Sequence, residues 1–310
     1  MNDTLEQFRQ AIAATGLQAP NVIHDDGAIH RFSPSGRASD KAAWYAFYAD
    51  GVPAGAFGDW RSGLQSTWCA KSDNAMTPAE REANRQRMKA MAAQRDAGKL
   101  ATQLQASETA VKLWNDATPC TEHPYLTAKG VKAYGLRVDA DGFLILPMRD
   151  TAGKLWNIER INPADFKDKR GLYGGRRTGL YHAIGSKPVD KLIVCEGYAT
   201  GASIHEATNW PVAVAFNAGN LEPVAIALHK AYPALTLVIG ADDDRLTPGN
   251  TGMTAAKQAA LAVGGFVVVP QFLAGRPDKA TDFNDLAALA GLGAVWACFS
   301  EIEVLSCGHF

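Results

Sequence analysis

The sequence predicts an α/β protein. Its C-terminal part is a Rossmann-like parallel sheet covered on both faces, preceded by a mixed α+β basic subdomain, a long helix and a small β-rich N-terminal unit. Three observations carry this reading. Short β-branched runs at Leu192 to Cys195, Val212 to Phe216, Leu235 to Gly240 and Phe266 to Val269 alternate with helical stretches at Ala199 to Ala207, Leu221 to Ala231, Thr251 to Val263 and Phe283 to Leu289, the rhythm of βαβ units. A capping box at Thr77 and Glu80, with Pro78 at the first helical position, opens a long run rich in helix formers. Ahead of it, aromatic and alternating pieces are separated by turn signals. The expected divisions are 1–75, a helical linker 76–118, the basic subdomain 119–188, the parallel-sheet domain 189–295 and a tail 296–310.

In chain order, the first unit opens on a short helix around Thr4 to Ala14. Extended pieces follow at Ala28 to Phe32, Ala43 to Tyr48 and Gly55 to Trp68, with turns at Ser33 to Gly36 and at Asp50-Gly51. Trp44, Tyr45, Phe57, Trp60 and Trp68, with Arg31, Arg37 and Arg61 nearby, are of the right types to stack nucleic-acid bases. The core of a small sheet needs the same rings. From Thr77 to about Asn115 the chain reads as one long helix or a pair, with Gly98 the strong breaker. Gly142 to Met148 and Leu155 to Ile161, around a turn at Asp150 to Gly153, make a hairpin. The tail from Gly293 suggests a final helix.

The chain has 310 residues, 47% of them apolar, enough for two modest domains. A formal net charge of −1 excludes a uniformly basic coat for nucleic acid. The five cysteines, Cys69, Cys120, Cys195, Cys298 and Cys307, include no C-x-x-C pair, so neither a zinc ribbon nor a disulfide framework is expected. The N-terminus is amphipathic, and no apolar stretch is long enough to span a bilayer. A cytoplasmic location without membrane attachment is the expectation.

Charge is unevenly distributed. Between Glu159 and Lys187 stand Arg160, Lys167, Lys169, Arg170, Arg176, Arg177 and Lys187, with Gly171, Gly174 and Gly175 among them. Glycines between arginines would let backbone approach a phosphate while guanidinium groups fork onto its oxygens. A solvated surface is the plainer alternative. Immediately downstream, strand candidates end on carboxylates: Glu196 after LIVC, and Asp242, Asp243 and Asp244 after LTLVIGA. Parallel sheets place ligand chemistry at these strand ends. Asp242 and Asp244, two apart in extended chain, would leave on one face and Asp243 on the other. Such like charges repel unless a cation joins them, and Mg²⁺ favours hard oxygen donors. Asp282 and Asp285 lie after the fourth strand, where helix capping explains them equally well.

The motifs EGYATG, GADDD and TDFNDL resemble those of a TOPRIM domain, the metal-binding fold of DnaG-type primases, topoisomerases and some nucleases. The preceding GFLILPMRDTAGKLWNIERIN and KRGLYGGRRTGLYHAIG resemble the basic half of a DnaG-type primase core, especially in plasmid and phage primases. The resemblance covers Glu122 to Leu292, and GVPAGAFGDWRSGLQSTW resembles the opening segment of those proteins more loosely. Two features of the family are missing: there are no ligands for an N-terminal zinc ribbon, and no P-loop follows, so a helicase would be a separate protein.

The resemblance implies a DNA primase, a nucleotidyltransferase making short RNA primers on single-stranded DNA from nucleoside triphosphates with Mg²⁺ or Mn²⁺. Glu196, Asp242 and Asp244 would be catalytic, and with Asp282 and Asp285 would hold the metal. Arg160, Lys169, Arg176 and Arg177 would grip template or triphosphate. A replicative helicase or initiator is the expected further partner. The competing readings are a TOPRIM nuclease using the same carboxylates and a silent nucleic-acid-binding or helicase-recruiting module. A topoisomerase is disfavoured, because the chain has no room for a gate domain and no tyrosine marked as nucleophile.

Overall fold

The computed structural model describes residues 2–37, 39–72 and 75–307, with no side-chain description for 2, 301 and 303–307. Cys307 is thus described only as backbone, and 308–310 of the expected tail lie outside the described residues. The chain divides into two compact units, Met1–Ala101 and Thr102–Phe310.

In the first unit, helix α1 (Asn2–Ala14) precedes an antiparallel sheet of β1 (His30–Phe32), β2 (Ala43–Tyr48), β3 (Ala54–Asp59) and β4 (Leu64–Cys69), in sequential order. The expected Gly55 to Trp68 piece is two strands, because Trp60 to Gly63 turn the chain, with Gly63 at φ 74°. Most of the aromatic residues form core. Phe8 of α1 is fully buried against Tyr45, Phe47, Phe57 and Trp68. Trp44 is also buried, whereas Trp60 is exposed, with the Arg31 guanidinium 4.5 Å from its ring centroid.

Helix α2 (Pro78–Asp116) contributes to both units. Its capping box forms: the Thr77 N–H donates to Glu80 Oε2 at 2.8 Å, and the Glu80 N–H to Thr77 Oγ1 at 3.3 Å. Gly98 does not interrupt the helix.

The second unit holds two five-stranded sheets. The first is antiparallel and sequential: β5 (Thr118–Pro119), β6 (Arg137–Val138), β7 (Leu144–Arg149), β8 (Leu155–Ile161) and β9 (Lys169–Gly171). The C-terminal part of α2 packs on it, where Ser107 Oγ donates to Leu155 O at 2.6 Å and Ala110 is buried against Ile145 and Ile158. Helix α3 (Pro124–Lys129) is capped by His123, whose Nδ1 accepts from the Tyr125 N–H.

The second sheet runs in the order β10 (His182–Ile184), β12 (Val212–Val214), β11 (Lys191–Cys195), β13 (Thr236–Gly240), β14 (Phe266–Val268). All its pairings are parallel except β10 with β12. Helices α4 (Tyr198–Thr208) and α5 (Leu221–Ala231), then α6 (Thr251–Val263), α7 (Phe283–Ala290) and α8 (Leu292–Cys307), supply the crossovers and the end of the chain. Ile193 and Cys195 bury one face of β11 against α4, α7 and α8, and Leu192 and Val194 bury the other against α5 and α6. This two-faced burial explains the uninterrupted apolar runs. Tyr125, Leu144, Leu146 and Ile161 of the antiparallel part join the first of these cores.

Candidate metal centre

The chain leaves β11 towards β12 on one side and leaves its neighbour β13 towards β14 on the other, so the connections diverge between the carboxyl ends of β11 and β13. That is the switch point at which open α/β sheets bind ligands. Cys195 pairs with Gly240 across β11 and β13, so Glu196 and the Asp242 to Asp244 turn leave neighbouring strands at the same level.

Glu196 is half-buried and precedes Gly197, the N-cap of α4. Its backbone O accepts from the N–H of Phe216 at 2.8 Å, and Phe216 adopts φ 74°. A left-handed conformation at a bulky residue is strained and clusters at functional sites. Burial pushes the Glu196 carboxyl up, and the Asp244 charge adds to the effect. The Ala218 N–H and Lys169 act the other way.

Asp242 is the most perturbed of the set. Burial raises its carboxyl well above the usual range, and Asp282, Glu196, Asp244 and Asp285 raise it further. Its Oδ1 is buried without a hydrogen-bond partner. Asp244 lies beside the start of α6, with Oδ2 accepting from the Gly252 N–H at 3.2 Å. Asp282 is raised by burial first and by Asp285 second. It caps α7: Oδ1 accepts from the Asp285 N–H at 2.8 Å and Oδ2 from Thr200 Oγ1 at 3.1 Å. Asp285 completes the capping box, its Oδ2 accepting from the Thr281 N–H at 2.8 Å. Both residues therefore cap α7 and both act on Asp242, Asp282 more strongly than Asp285. Asp243 faces elsewhere: its hydrogen bond to Arg276 holds its carboxyl below the ordinary range.

Among the described residues no three Asp, Glu, His or Cys side chains close into a ready-made cation cage. The donor set nonetheless fits Mg²⁺ or Mn²⁺. The carboxylates are hard donors that raise one another's pKa, and an orphaned oxygen of Asp242 lies among them. Mg²⁺ is commonly held by one or two carboxylates plus substrate phosphate and water, with no closed protein cage.

The four expected cationic ligands separate. Across β8 and β9, Ile161 pairs with Lys169, Arg160 with Arg170 and Glu159 with Gly171, so Lys169 shares a face with Glu159 and Arg160 lies on the other. The Lys169 charge acts on both Glu159 and Glu196. Arg177 Nη1 is 3.8 Å from Glu159 Oε1. Arg160 instead pairs with Asp139 at 2.6 Å and lies over Phe143. Arg176 donates to Thr178 O at 3.1 Å and lies over Trp156. Lys169 and Arg177 thus flank the buried Glu159, whereas the contacts of Arg160 and Arg176 lie outside that cluster.

The glycines of the basic run are closely packed. A Cβ at Gly171 would meet Arg177 at 2.5 Å, one at Gly174 would meet Thr102 at 2.4 Å, and one at Gly175 would meet Asn157 at 2.5 Å. These glycines admit neighbouring side chains of the fold.

Residues 191–292 match the Toprim domain family. Two Escherichia coli proteins, both named DNA primase TraC, are similar over nearly the whole chain. One is 35% identical over 289 residues, 87% of this chain and 27% of the relative. The other is 33% identical over 305 residues, 92% of this chain and 20% of the relative. The chain thus spans about a quarter of the length of these curated relatives. Among solved structures, a DnaG primase catalytic domain bound to single-stranded DNA is 13% identical, covering 66% of this chain and 82% of that one at a TM-score of 0.43. The zinc-binding and RNA polymerase domains of the Aquifex aeolicus primase are 12% identical, covering 98% and 87% at a TM-score of 0.42. Residues 191–292 are thus a Toprim domain, and the chain is a relative of these Escherichia coli DNA primases.

Proposed function

We propose that this chain is the catalytic part of a DNA primase, copying a single-stranded DNA template into a short RNA primer in the cytoplasm. One observation carries the reading: half-buried Asp242, whose Oδ1 is buried without a hydrogen-bond partner, at a parallel-sheet switch point among Glu196, Asp244 and Asp282, in a chain related to DNA primases. Asp242 and Asp244, with Asp282 behind them, would hold Mg²⁺ or Mn²⁺. When bound, the metal supplies a Lewis acid that neutralises triphosphate charge and stabilises the attacking and leaving oxygens.

Glu196 would orient the primer hydroxyl and accept its proton. Burial raises its pKa, the direction that strengthens a carboxylate as a base. Lys169 and Arg177 would bind triphosphate or template oxygens, a grip that weakens with salt. Asp285 would support Asp282 through the α7 cap. A helicase or initiator supplied by another chain would bring the template.

Purified protein with single-stranded DNA, the four ribonucleotides and Mn²⁺ should yield short oligonucleotides. Asp242→Ala should abolish them, and synthesis that survives this substitution would refute the reading.

A further inference from the structure

The turn carrying Asp242 and Asp244 is held by the residue between them. Asp243 Oδ1 accepts from Asn250 Nδ2 at 2.8 Å, and its Oδ2 accepts from Arg276 Nη1. Its backbone O accepts from Arg276 Nη2 at 2.9 Å and from the Arg245 N–H at 2.8 Å, while its own N–H donates to Thr281 O at 2.8 Å. Arg276 is fixed in turn: Nε donates to Ala280 O at 2.7 Å, and the guanidinium lies 4.2 Å from the centroid of Phe272. Its side chain is only 10% exposed.

Three segments meet at this one aspartate: the turn after β13, the N-cap Asn250 of α6, and the loop into α7. Asp244 reaches the start of α6, and Asp282 follows Thr281 directly. Each carboxylate placed in the metal site from this half of the sheet is thus one or two residues from a bond made by Asp243 or Arg276. A planar guanidinium with several fixed donors can brace two chain segments in a way a single ammonium cannot.

We propose that Arg276 and Asp243 form a positioning clamp that holds Asp242, Asp244 and Asp282 at the spacing Mg²⁺ requires, against their mutual repulsion. This rests on the reading of these carboxylates as a divalent-cation site. Mg²⁺ demands near-ideal octahedral geometry, whereas Ca²⁺ accepts longer and more variable distances. A loosened site therefore loses Mg²⁺ affinity first.

The test is direct Mn²⁺ binding by calorimetry on the full chain, with Mg²⁺ and Ca²⁺ as competitors and thermal unfolding recorded beside it. Arg276→Met and Asp243→Asn should each weaken Mg²⁺ about 10- to 100-fold, the range typical of losing groups that orient metal ligands. Ca²⁺ should weaken less, so the Mg²⁺ to Ca²⁺ affinity ratio falls, which a general loss of stability would not produce. Arg276→Lys should lie between wild type and Arg276→Met. If Arg276→Met does not fold, Asp243→Asn, nearly identical in shape, carries the comparison. Folded variants with wild-type Mg²⁺ affinity and an unchanged ratio would overturn the clamp alone. Wild-type protein that binds none of the three ions would overturn the metal reading itself, and the clamp with it, before any substitution is made.

Discussion

The Gly252 N–H, in the first turn of α6, donates to Asp244 Oδ2 at 3.2 Å, and a Cβ at position 252 would stand 2.6 Å from the Asp242 backbone O. Helix start and acidic turn are therefore packed with no room for a side chain. The helix N-terminus also favours the negative charge placed there. Gly252→Ala should displace Asp242 and Asp244, cost about 1–3 kcal/mol of stability through overpacking, and reduce activity beyond what the stability loss explains. Urea unfolding and primer synthesis on the same preparation check this. Wild-type stability and rate would mean the contact is easily relieved.

The separation of the basic residues gives a paired prediction. Lys169 acts on Glu196, whereas Arg160 is bonded to Asp139 and stacked on Phe143. Lys169→Ala should lower kcat/KM for nucleotide about 10- to 100-fold, the loss of one charge-assisted contact, with the melting temperature unchanged. Arg160→Ala should destabilise by about 1 kcal/mol and change the rate less. Kinetics and melting curves for both variants settle the assignment, and the reverse pattern would contradict it.

Asp242 without metal is a half-buried carboxylate among like charges, with its buried Oδ1 unpartnered. Asp242→Asn removes that charge from among its neighbours and should therefore stabilise the metal-free protein at neutral pH. It should also abolish Mn²⁺-induced stabilisation. Destabilisation by this substitution in the presence of chelator would show that the carboxylate is well solvated.

Much of this fold was legible because local pattern and tertiary environment agree. The β11, β12 and β13 runs are apolar on both faces because helices cover both, and the ends of β11 and β13 could be read from the carboxylates that follow. The capping box at Thr77 was visible for the same reason, since its partner lies three residues away, whereas at Asp282 capping stood as one of two open readings. The contacts hidden from sequence are those between distant segments. Arg276 reaches Asp243 across 33 residues. Asn220 joins Gly179 N–H, Leu180 O and Ala215 O in a buried site. Thr200 reaches Asp282 across 82 residues. Charge density in the basic run does not reveal which residues have partners: Arg160 meets Asp139 across 21 residues, while Arg170 pairs with Asp168 only two residues away.

His182 on β10 gives a pH prediction independent of the acidic site. It is buried, and its Nε2 lies 2.8 Å from Tyr134 O. Burial pushes its pKa down to about 4, and Arg149 contributes in the same direction. The unfolded chain protonates this ring near pH 6.5, while the folded protein keeps it neutral to about pH 4. Its contribution is thus complete above about 6.5 and is lost progressively as pH falls towards 4. The full loss is about 3 kcal/mol. His182→Gln, which retains a donor, should show a flatter stability profile than wild type between pH 7 and 4 in urea titrations. Parallel profiles would mean the ring is not held neutral.

The central claim is best tested by one incubation with two labels: an end-labelled single-stranded DNA and an α-labelled ribonucleotide, with Mn²⁺, for wild type and Asp242→Ala. The nucleotide label should enter short oligonucleotides while the DNA stays intact, and incorporation should vanish in Asp242→Ala. Degradation of the DNA without incorporation would instead make these carboxylates the site of a nuclease.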